Sequence, residues 1–335
     1  MTVLIIEWSG LDGIAEATRS WYVQGREVGR HCTVITTLGG VLEGADVVGI
    51  ERGRAITGYT HQVELVQLAV EYIRRHTPKV VVLQGYALPH EEQRVITAAR
   101  AVGARVVLVV YMPKPPFLSV RTSVGLRKLL RSADVLVAHA DNVAAELRPR
   151  GDQRVVQAPF PPFEMSAGSL GSPSTDHPVP EPVEQQLVLD VDAASKSDVA
   201  GLVDAFGADG SWSVVVPDAP RHDVALATQR SWLDTVGASR AALVPSTSPF
   251  GNVMTSVAMG LGVVPVVRDI GAQAEQIGRG TAGILVPADA TPRDWVALCD
   301  QLRDDEFVED KVAKGFDLID EQAAAFAAAA RDVLS

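Results

Sequence analysis

The sequence predicts an α/β protein made of two doubly wound parallel-sheet domains, and three observations predict it. The chain has 335 residues, about two domains' worth. Short β-branched apolar runs alternate with longer amphipathic ones through both halves. A stretch dominated by Pro, Ser and Gly, Pro159 to Glu184, interrupts that alternation near the middle. Apolar runs without internal polar positions mean strands covered on both faces, which parallel sheets wrapped by helices provide.

In chain order, the first half offers strands at Val3–Ile6, Thr33–Thr36, Asp46–Ile50, Val80–Leu83, Val106–Val110, Asp134–Ala138 and Val155–Gln157. Helical periodicity falls between them at Ile14–Gln24, His61–Arg75, Glu91–Val102, Val120–Arg131 and Asn142–Leu147. After the interruption come strands at Leu187–Val191, Ser213–Val216, Ala241–Pro245, Val263–Val267 and Ile284–Val286. Their helices are Asp198–Phe206, Arg230–Gly237, Asn252–Gly260 and Arg293–Leu302. The Ala-rich tail from Asp310 to Leu334 is a strong helix former. The expected domains are residues 1–160, a linker and surface excursion over 161–185, a second domain over 186–309, and a helix over 310–335 that packs back towards the first. The two sheets are expected to face each other across a cleft, where loops and helix N-termini converge on a ligand.

Composition narrows the class. With 47% hydrophobic, 5% aromatic and 21% charged residues, each domain can bury a core, which excludes a disordered chain. No apolar run reaches the roughly 18–20 residues of a membrane span, and MTVLIIEWSG lacks the basic start of a signal peptide. Cys32 and Cys299 form neither a disulfide framework nor a metal knuckle, so the expected setting is a reducing cytosol. The net charge of −11 is uneven: residues 1–160 carry 19 Lys and Arg against 15 Asp and Glu, a balance of +4, and the remainder 11 against 26, a balance of −15. No histidine set shows metal spacing, and no nucleophile elbow or phosphate-loop Gly-Lys-Ser/Thr signature occurs. The cluster Asp304-Asp305-Glu306 with Glu309-Asp310 reads as a solvated loop.

Chemistry enters with glycine-bounded helix starts. Gly10-Leu11-Asp12-Gly13 follows the first strand and opens a helix, so the backbone around Gly13 can approach an anion. As a nicotinamide fingerprint it is poor, lacking the third glycine and an acidic residue after the second strand. The most informative stretch is AALVPSTSPFGNVMTSVAMGLGVVPVVRDIGAQAEQIGRGTAGILVPAD, residues 241–289. Its Pro-Ser turn and Pro-Phe-Gly loop lead into a helix at Asn252, and a second glycine turn lies at Gly271; such starts suit a nucleotide diphosphate.

This stretch resembles the donor-binding half of the GT-B glycosyltransferases, in particular the retaining enzymes of glycosyltransferase family 4. The residues that carry the resemblance are Pro245-Ser246, Pro249-Phe250-Gly251, Ala258-Met259, Gly262, Pro265-Val266-Val267, Asp269, Gly271, Glu275 and Gly283-Ile284-Leu285-Val286-Pro287. Ser132–Ala138 is similar to the family's last acceptor-domain strand, and Lys196 is similar to its donor-diphosphate lysine. The resemblance implies two Rossmann-like domains and transfer of a hexose from a nucleotide-diphosphate sugar to an acceptor hydroxyl with retention. It implies no metal and no cofactor beyond the sugar nucleotide. Donor-binding positions are then Gly13, Ser248, Phe250, Gly251, Asn252, Val253, Arg268 and Glu275, with Lys196 and the helix-start amides stabilising the leaving diphosphate.

The chain departs from the family at defined places. The paired glutamates would fall at Ser248 and at Ser256 or Val257, none of them acidic. The Gly-Arg ahead of the lysine reads Asp190-Val191, and Arg268 and Arg279 are the candidates to replace that cation. In the first half, relatives' histidines after strands four and five read Gln84 and Tyr111. Gln84, Tyr86, Tyr111 and Lys114 are candidate acceptor-binding residues at the carboxyl edge of the sheet. His90 is a candidate catalytic base or sugar ligand, or else a member of the cap region of the helix near Glu91. His139 belongs to either core or cleft.

Arg127, Lys128 and Arg131 share one face of an amphipathic helix. That face suits plain solvent, an anionic acceptor or peripheral membrane surface, or nucleic acid. The alternatives to a hexosyltransferase are a binding or scaffold protein on the same fold that has lost turnover, and a glycosyltransferase acting on modified nucleic-acid bases. A sugar-nucleotide epimerase would need carboxylates and histidines that the sequence does not place.

Overall fold

The computed structural model describes residues 2–8, 12–38, 46–51, 58–111, 120–162, 183–190, 196–217, 230–247 and 251–335. The chain divides into two compact units, Met1–Pro159 with Ala325–Ser335, and Phe160–Ala324.

The first unit runs β1 (Thr2–Glu7), α1 (Asp12–Glu27), β2 (His31–Leu38), β3 (Val47–Glu51), α2 (Gly58–His76), β4 (Val80–Gln84) and α3 (Pro89–Ala101). It continues through β5 (Arg105–Val110), α4 (Val120–Ser132), β6 (Val135–Ala138), α5 (Asp141–Glu146) and β7 (Arg154–Gln157). Its seven strands lie in the order β3-β2-β1-β4-β5-β6-β7, and every pairing is parallel. The apolar strands VVVLQ and RVVLVV are buried almost throughout, as a sheet clothed on both faces requires. The end of the last helix belongs to this unit. Phe326 meets Trp21 of α1 edge-on at 5.4 Å, and Arg105 donates to the Val333 carbonyl.

The second unit runs β8 (Val183–Leu189), α6 (Lys196–Asp209), β9 (Ser213–Val215), α7 (Arg230–Gly237), β10 (Ser239–Val244) and α8 (Val253–Gly260). Then come β11 (Val264–Arg268), α9 (Gly271–Gln276), β12 (Ile284–Val286), α10 (Pro292–Cys299) and α11 (Asp305–Leu334). Its five strands are parallel in the order β12-β11-β10-β8-β9. The period of two divides each strand between two cores. Val188, Ala242, Val244 and Val267 pack with Trp232, Met254 and Val257 on one face. Leu187, Leu189, Leu243 and Val266 pack with Phe206, Trp212 and Trp295 on the other.

Two boundaries differ from the sequence expectation for physical reasons. β8 begins at Val183, inside the expected linker, because the Val183 amide already donates to the Ala238 carbonyl at 2.8 Å. The last helix begins at Asp305, so the acidic cluster expected as a solvated loop is largely its first turn. Asp304 caps it, its Oδ1 accepting the amides of Glu306 at 3.0 Å and Phe307 at 3.3 Å. Acidic side chains favour the positive end of a helix.

In each sheet the strand order reverses once. The reversal falls between β1 and β4 in the first unit and between β8 and β10 in the second. Open parallel sheets bind ligands at that point, outside the carboxyl ends of the strands.

Candidate functional site

In the first unit the residues that end β1 and β4 are in register at the reversal: Glu7 lies opposite Gln84. Glu7 is buried and accepts the Thr36 hydroxyl at 2.6 Å. Gln84 is also buried; its Oε1 accepts the Tyr111 hydroxyl at 2.9 Å, while its Nε2 has no hydrogen-bond partner among the described residues. Gly85 follows at φ +73°, a left-handed turn, and a Cβ there would stand 3.3 Å from the Tyr111 ring. The Trp8 indole donates to the Gly85 carbonyl at 3.3 Å. Tyr86 comes next, its phenol pKa raised by burial and by the negative charge of Glu92.

α3 begins at Pro89, with Leu88 as the cap residue, so His90 is the second residue of the helix and not its cap. Its Nδ1 is buried without a partner among the described residues, and its Nε2 lies 3.8 Å from Glu91 Oε1. His139, at the end of β6, is a core residue, 3% exposed. Its Nδ1 donates to the carbonyls of Ala158 at 3.0 Å and Pro159 at 3.1 Å, which fixes the proton on that nitrogen. Burial pushes its pKa down to about 4, so the ring is neutral. Thr37 Oγ1 and His61 Nε2 lie 2.5 Å apart beside this edge. On α4, Arg127, Lys128 and Arg131 are exposed together with Val124 at 57%, while Leu126 and Leu129 face the core. Lys114 lies outside the described residues.

In the second unit two helices start at the carboxyl ends of the strands flanking the reversal. Lys196 opens α6 after β8, and Val253 opens α8 after β10. Gly251 lets the chain approach Phe160: a Cβ would stand 2.4–2.7 Å from its ring atoms. Asn252 caps α8 in extended conformation but makes no cap bond with its side chain. Its Nδ2 donates to Asp190 Oδ2 at 2.9 Å instead. The Asn252 amide, one of those expected to meet an anion, donates to Gln276 Oε1 at 2.7 Å and is engaged by the protein itself. Two buried polar atoms at this start, Asn252 Oδ1 and Thr255 Oγ1, have no hydrogen-bond partner among the described residues, unlike the great majority of buried polar groups.

The remaining expected donor positions are dispersed. Arg268 ends β11, where it donates to the carbonyls of Pro245 at 3.2 Å and Ala288 at 2.9 Å and lies over Trp295 at 5.7 Å. Glu275 sits on α9, where its Oε1 pairs with Arg279 at 3.2 Å. Ser256, one of the two alternatives for the second missing glutamate, is buried and accepts from Gln276 Nε2 at 3.2 Å; Val257, the other alternative, is in the core. Ser248 and Phe250 lie outside the described residues. Sequence reasoning missed Glu7, Glu92 and Gln276. Only Glu7 carried a signal, as the single acid closing an otherwise apolar strand.

Among solved structures the chain is similar to sucrose-phosphate synthase (tll1590) from Thermosynechococcus elongatus, 15% identical over 99% of this chain and 97% of that one, with TM-score 0.69. It is similar to Anabaena Alr3699/HepE in complex with UDP, 13% identical over 99% and 98%, TM-score 0.65. An alpha-glucosyltransferase in complex with UDP-glucose and DNA containing an abasic site matches at 10% identity over 99% and 98%, TM-score 0.61. No family model matches the sequence, and no curated protein does. Two parallel-sheet α/β units with these likenesses define the fold, that of the GT-B glycosyltransferases.

Proposed function

We propose that the chain is a glycosyltransferase that moves a hexose from a nucleotide-diphosphate sugar to an acceptor hydroxyl with retention and without a metal. The observation that carries this reading is the start of α8. It follows β10 at the sheet reversal, as α6 follows the neighbouring β8, with Asn252 Oδ1 and Thr255 Oγ1 buried and without a partner among the described residues. A helix start directs amide N–H groups and the positive end of its dipole at an anion. UDP or UDP-glucose is the ligand in the HepE and alpha-glucosyltransferase complexes, which makes a UDP-sugar the first donor to test.

In this reading unit two holds the donor. The Gly251 and Val253 amides and the Lys196 ammonium stabilise the diphosphate as the bond from anomeric carbon to phosphate oxygen breaks. Unit one holds the acceptor through Gln84, Tyr86, Tyr111 and His90. The acceptor oxygen bonds to the anomeric carbon on the same face, and its proton passes to the departing diphosphate. The exposed Arg127, Lys128 and Arg131 favour an anionic acceptor, DNA among them.

A second reading, a sugar-nucleotide-binding protein without turnover, is favoured by Ser256 and Val257, which place no carboxylate where the resembled family has one. One experiment separates them. A panel of UDP-, GDP-, ADP- and TDP-sugars is screened for thermal stabilisation, and the sugar that stabilises is then followed by anomer-resolved NMR. Stabilisation with slow hydrolysis supports the transferase, stabilisation without hydrolysis supports the binding protein, and no stabilisation contradicts both.

A further inference from the structure

Glu92 is an acid 1% exposed in the first unit, and it reaches backwards. Its Oε1 accepts the backbone amides of Ala87 at 2.5 Å and Leu88 at 2.8 Å, tying the first turn of α3 to the loop that precedes it. Its Oε2 is buried and has no hydrogen-bond partner among the described residues. The same loop is anchored at its other end by the left-handed Gly85, against Tyr111 and under the Trp8 indole. Between these anchors stands Tyr86, and His90 follows directly. Packing from α4 closes the far side, since a Cβ on Gly125 would lie 3.3 Å from the His90 amide nitrogen.

We infer that Glu92 is the positioning residue of the β4–α3 loop: its charge, acting through the Ala87 and Leu88 amides, sets where Tyr86 and His90 stand. Amide bonds to a carboxylate are roughly twice as strong as bonds to a neutral acid. Protonation therefore slackens the hold without removing it. Burial, opposed by the two amide bonds, pushes the Glu92 pKa up to about 7, so its proton changes hands across neutral pH. Above that pH the loop is held by a carboxylate, and below it by a neutral acid.

Of the other ionisable groups near this segment, Glu7 of β1, opposite Gln84, is also buried, and those on the neighbouring helices sit in wetter surroundings. On α3 itself Glu91 pairs with Arg94 at 3.1 Å, and His90 lies beside Glu91. From α2, Glu71, Arg74 and Arg75 are exposed and Glu64 half-buried; from α4, Arg127, Lys128 and Arg131 are exposed. From β5, Arg105 reaches to the Val333 carbonyl, and Tyr111 after it bonds Gln84. Tyr86 is the group whose ionisation Glu92 opposes.

The consequence for acceptor use rests on the glycosyltransferase reading, but the inference has a test that does not. The full-length protein is labelled with nitrogen-15 at Ala and Leu, and the Ala87 and Leu88 amide signals are followed from about pH 5.5 to pH 8.5. Both should move with one midpoint near pH 7 and stop moving in Glu92→Gln. In His90→Asn they should titrate as before. Wild-type signals that do not move, or that still titrate in Glu92→Gln, would overturn the inference; the wild-type titration decides even if that variant fails to fold. Where an acceptor is in hand, its KM should fall between pH 6 and pH 8 in the wild type and stay level in Glu92→Gln, with kcat little changed. Amides that titrate in a protein with no transferase activity would refute the functional reading and leave this one standing.

Discussion

Gln276 grips Asn252 by both of its backbone groups. Its Oε1 accepts the Asn252 N–H at 2.7 Å and its Nε2 donates to the Asn252 carbonyl at 3.1 Å. Gln322 of α11 in turn donates to the Gln276 carbonyl at 3.0 Å. The start of α8 is thus located from α9 and α11, not by its own cap. Gln276→Leu keeps the volume but leaves a partly buried amide unsatisfied, at a cost of about 2 kcal/mol or more. The urea midpoint should fall and nucleotide-sugar binding should weaken together. An unchanged midpoint would show that the grip contributes nothing.

Gly251 is required by a neighbour, not by its own backbone angles, since a Cβ would collide with the Phe160 ring. Gly251→Ala should destabilise the protein by roughly 1–3 kcal/mol, the usual range for overpacking. Pairing it with Phe160→Leu should recover part of that loss. Chemical denaturation of the two single variants and the double variant checks the coupling, and strict additivity would contradict it.

His139 stores a pH dependence of definite sign. Its folded pKa of about 4 lies below the ordinary 6.5, so its contribution is complete above pH 6.5 and is lost as pH falls towards 4. The penalty of His139→Gln, measured against wild type, should therefore shrink by roughly 2–3 kcal/mol between pH 7.5 and pH 4.5. Glu92 and Glu16 act in the opposite sense. Both are raised by burial from 4.5 to about 7, so stability is lost as pH rises between those values. The effect of His139 is visible in the difference between variant and wild type, not in the wild-type curve alone.

Asp190 places a buried carboxylate 2.9 Å from the Asn252 side chain, at the positive end of α8. A diphosphate bound there would meet that charge at short range, and like charges within several ångströms repel by about 1 kcal/mol or more. Asp190→Asn should tighten UDP about fivefold or more in calorimetry at low salt. Weaker binding in the variant would mean that Asp190 serves the ligand and does not oppose it.

Much of the fold was legible because parallel strands covered on both faces leave unbroken apolar runs such as VLII and VVVL, and the alternation with helices orders them. The polar connections were not legible. Glu91 and Glu92 are adjacent identical letters, yet about 100° of helical phase separates them. The Glu91 side chain is 21% exposed and paired with Arg94, whereas Glu92 is sealed inside. Pro89 shifts the start of α3 to before Glu91, since a proline is already preorganised for a first helical position. Gln276 sits in GAQAEQIG, where Gln273 and Gln276 both turn inward and no periodicity marks which of them grips the start of α8. Helix starts at Asp198 and Asn252 were legible, within two residues of the observed Lys196 and Val253. Only the strand order shows that both helices follow the strands flanking the reversal of one sheet.

The measurement that bears most directly on the account is calorimetric titration of UDP-glucose, with GDP-, ADP- and TDP-glucose alongside, into the wild type and Lys196→Ala. The account predicts saturable one-to-one binding of one of them to the wild type, and binding at least tenfold weaker in the variant, the loss of one close charge pair. A wild-type protein that takes up none of the four, or a variant that binds as tightly as the wild type, would contradict it.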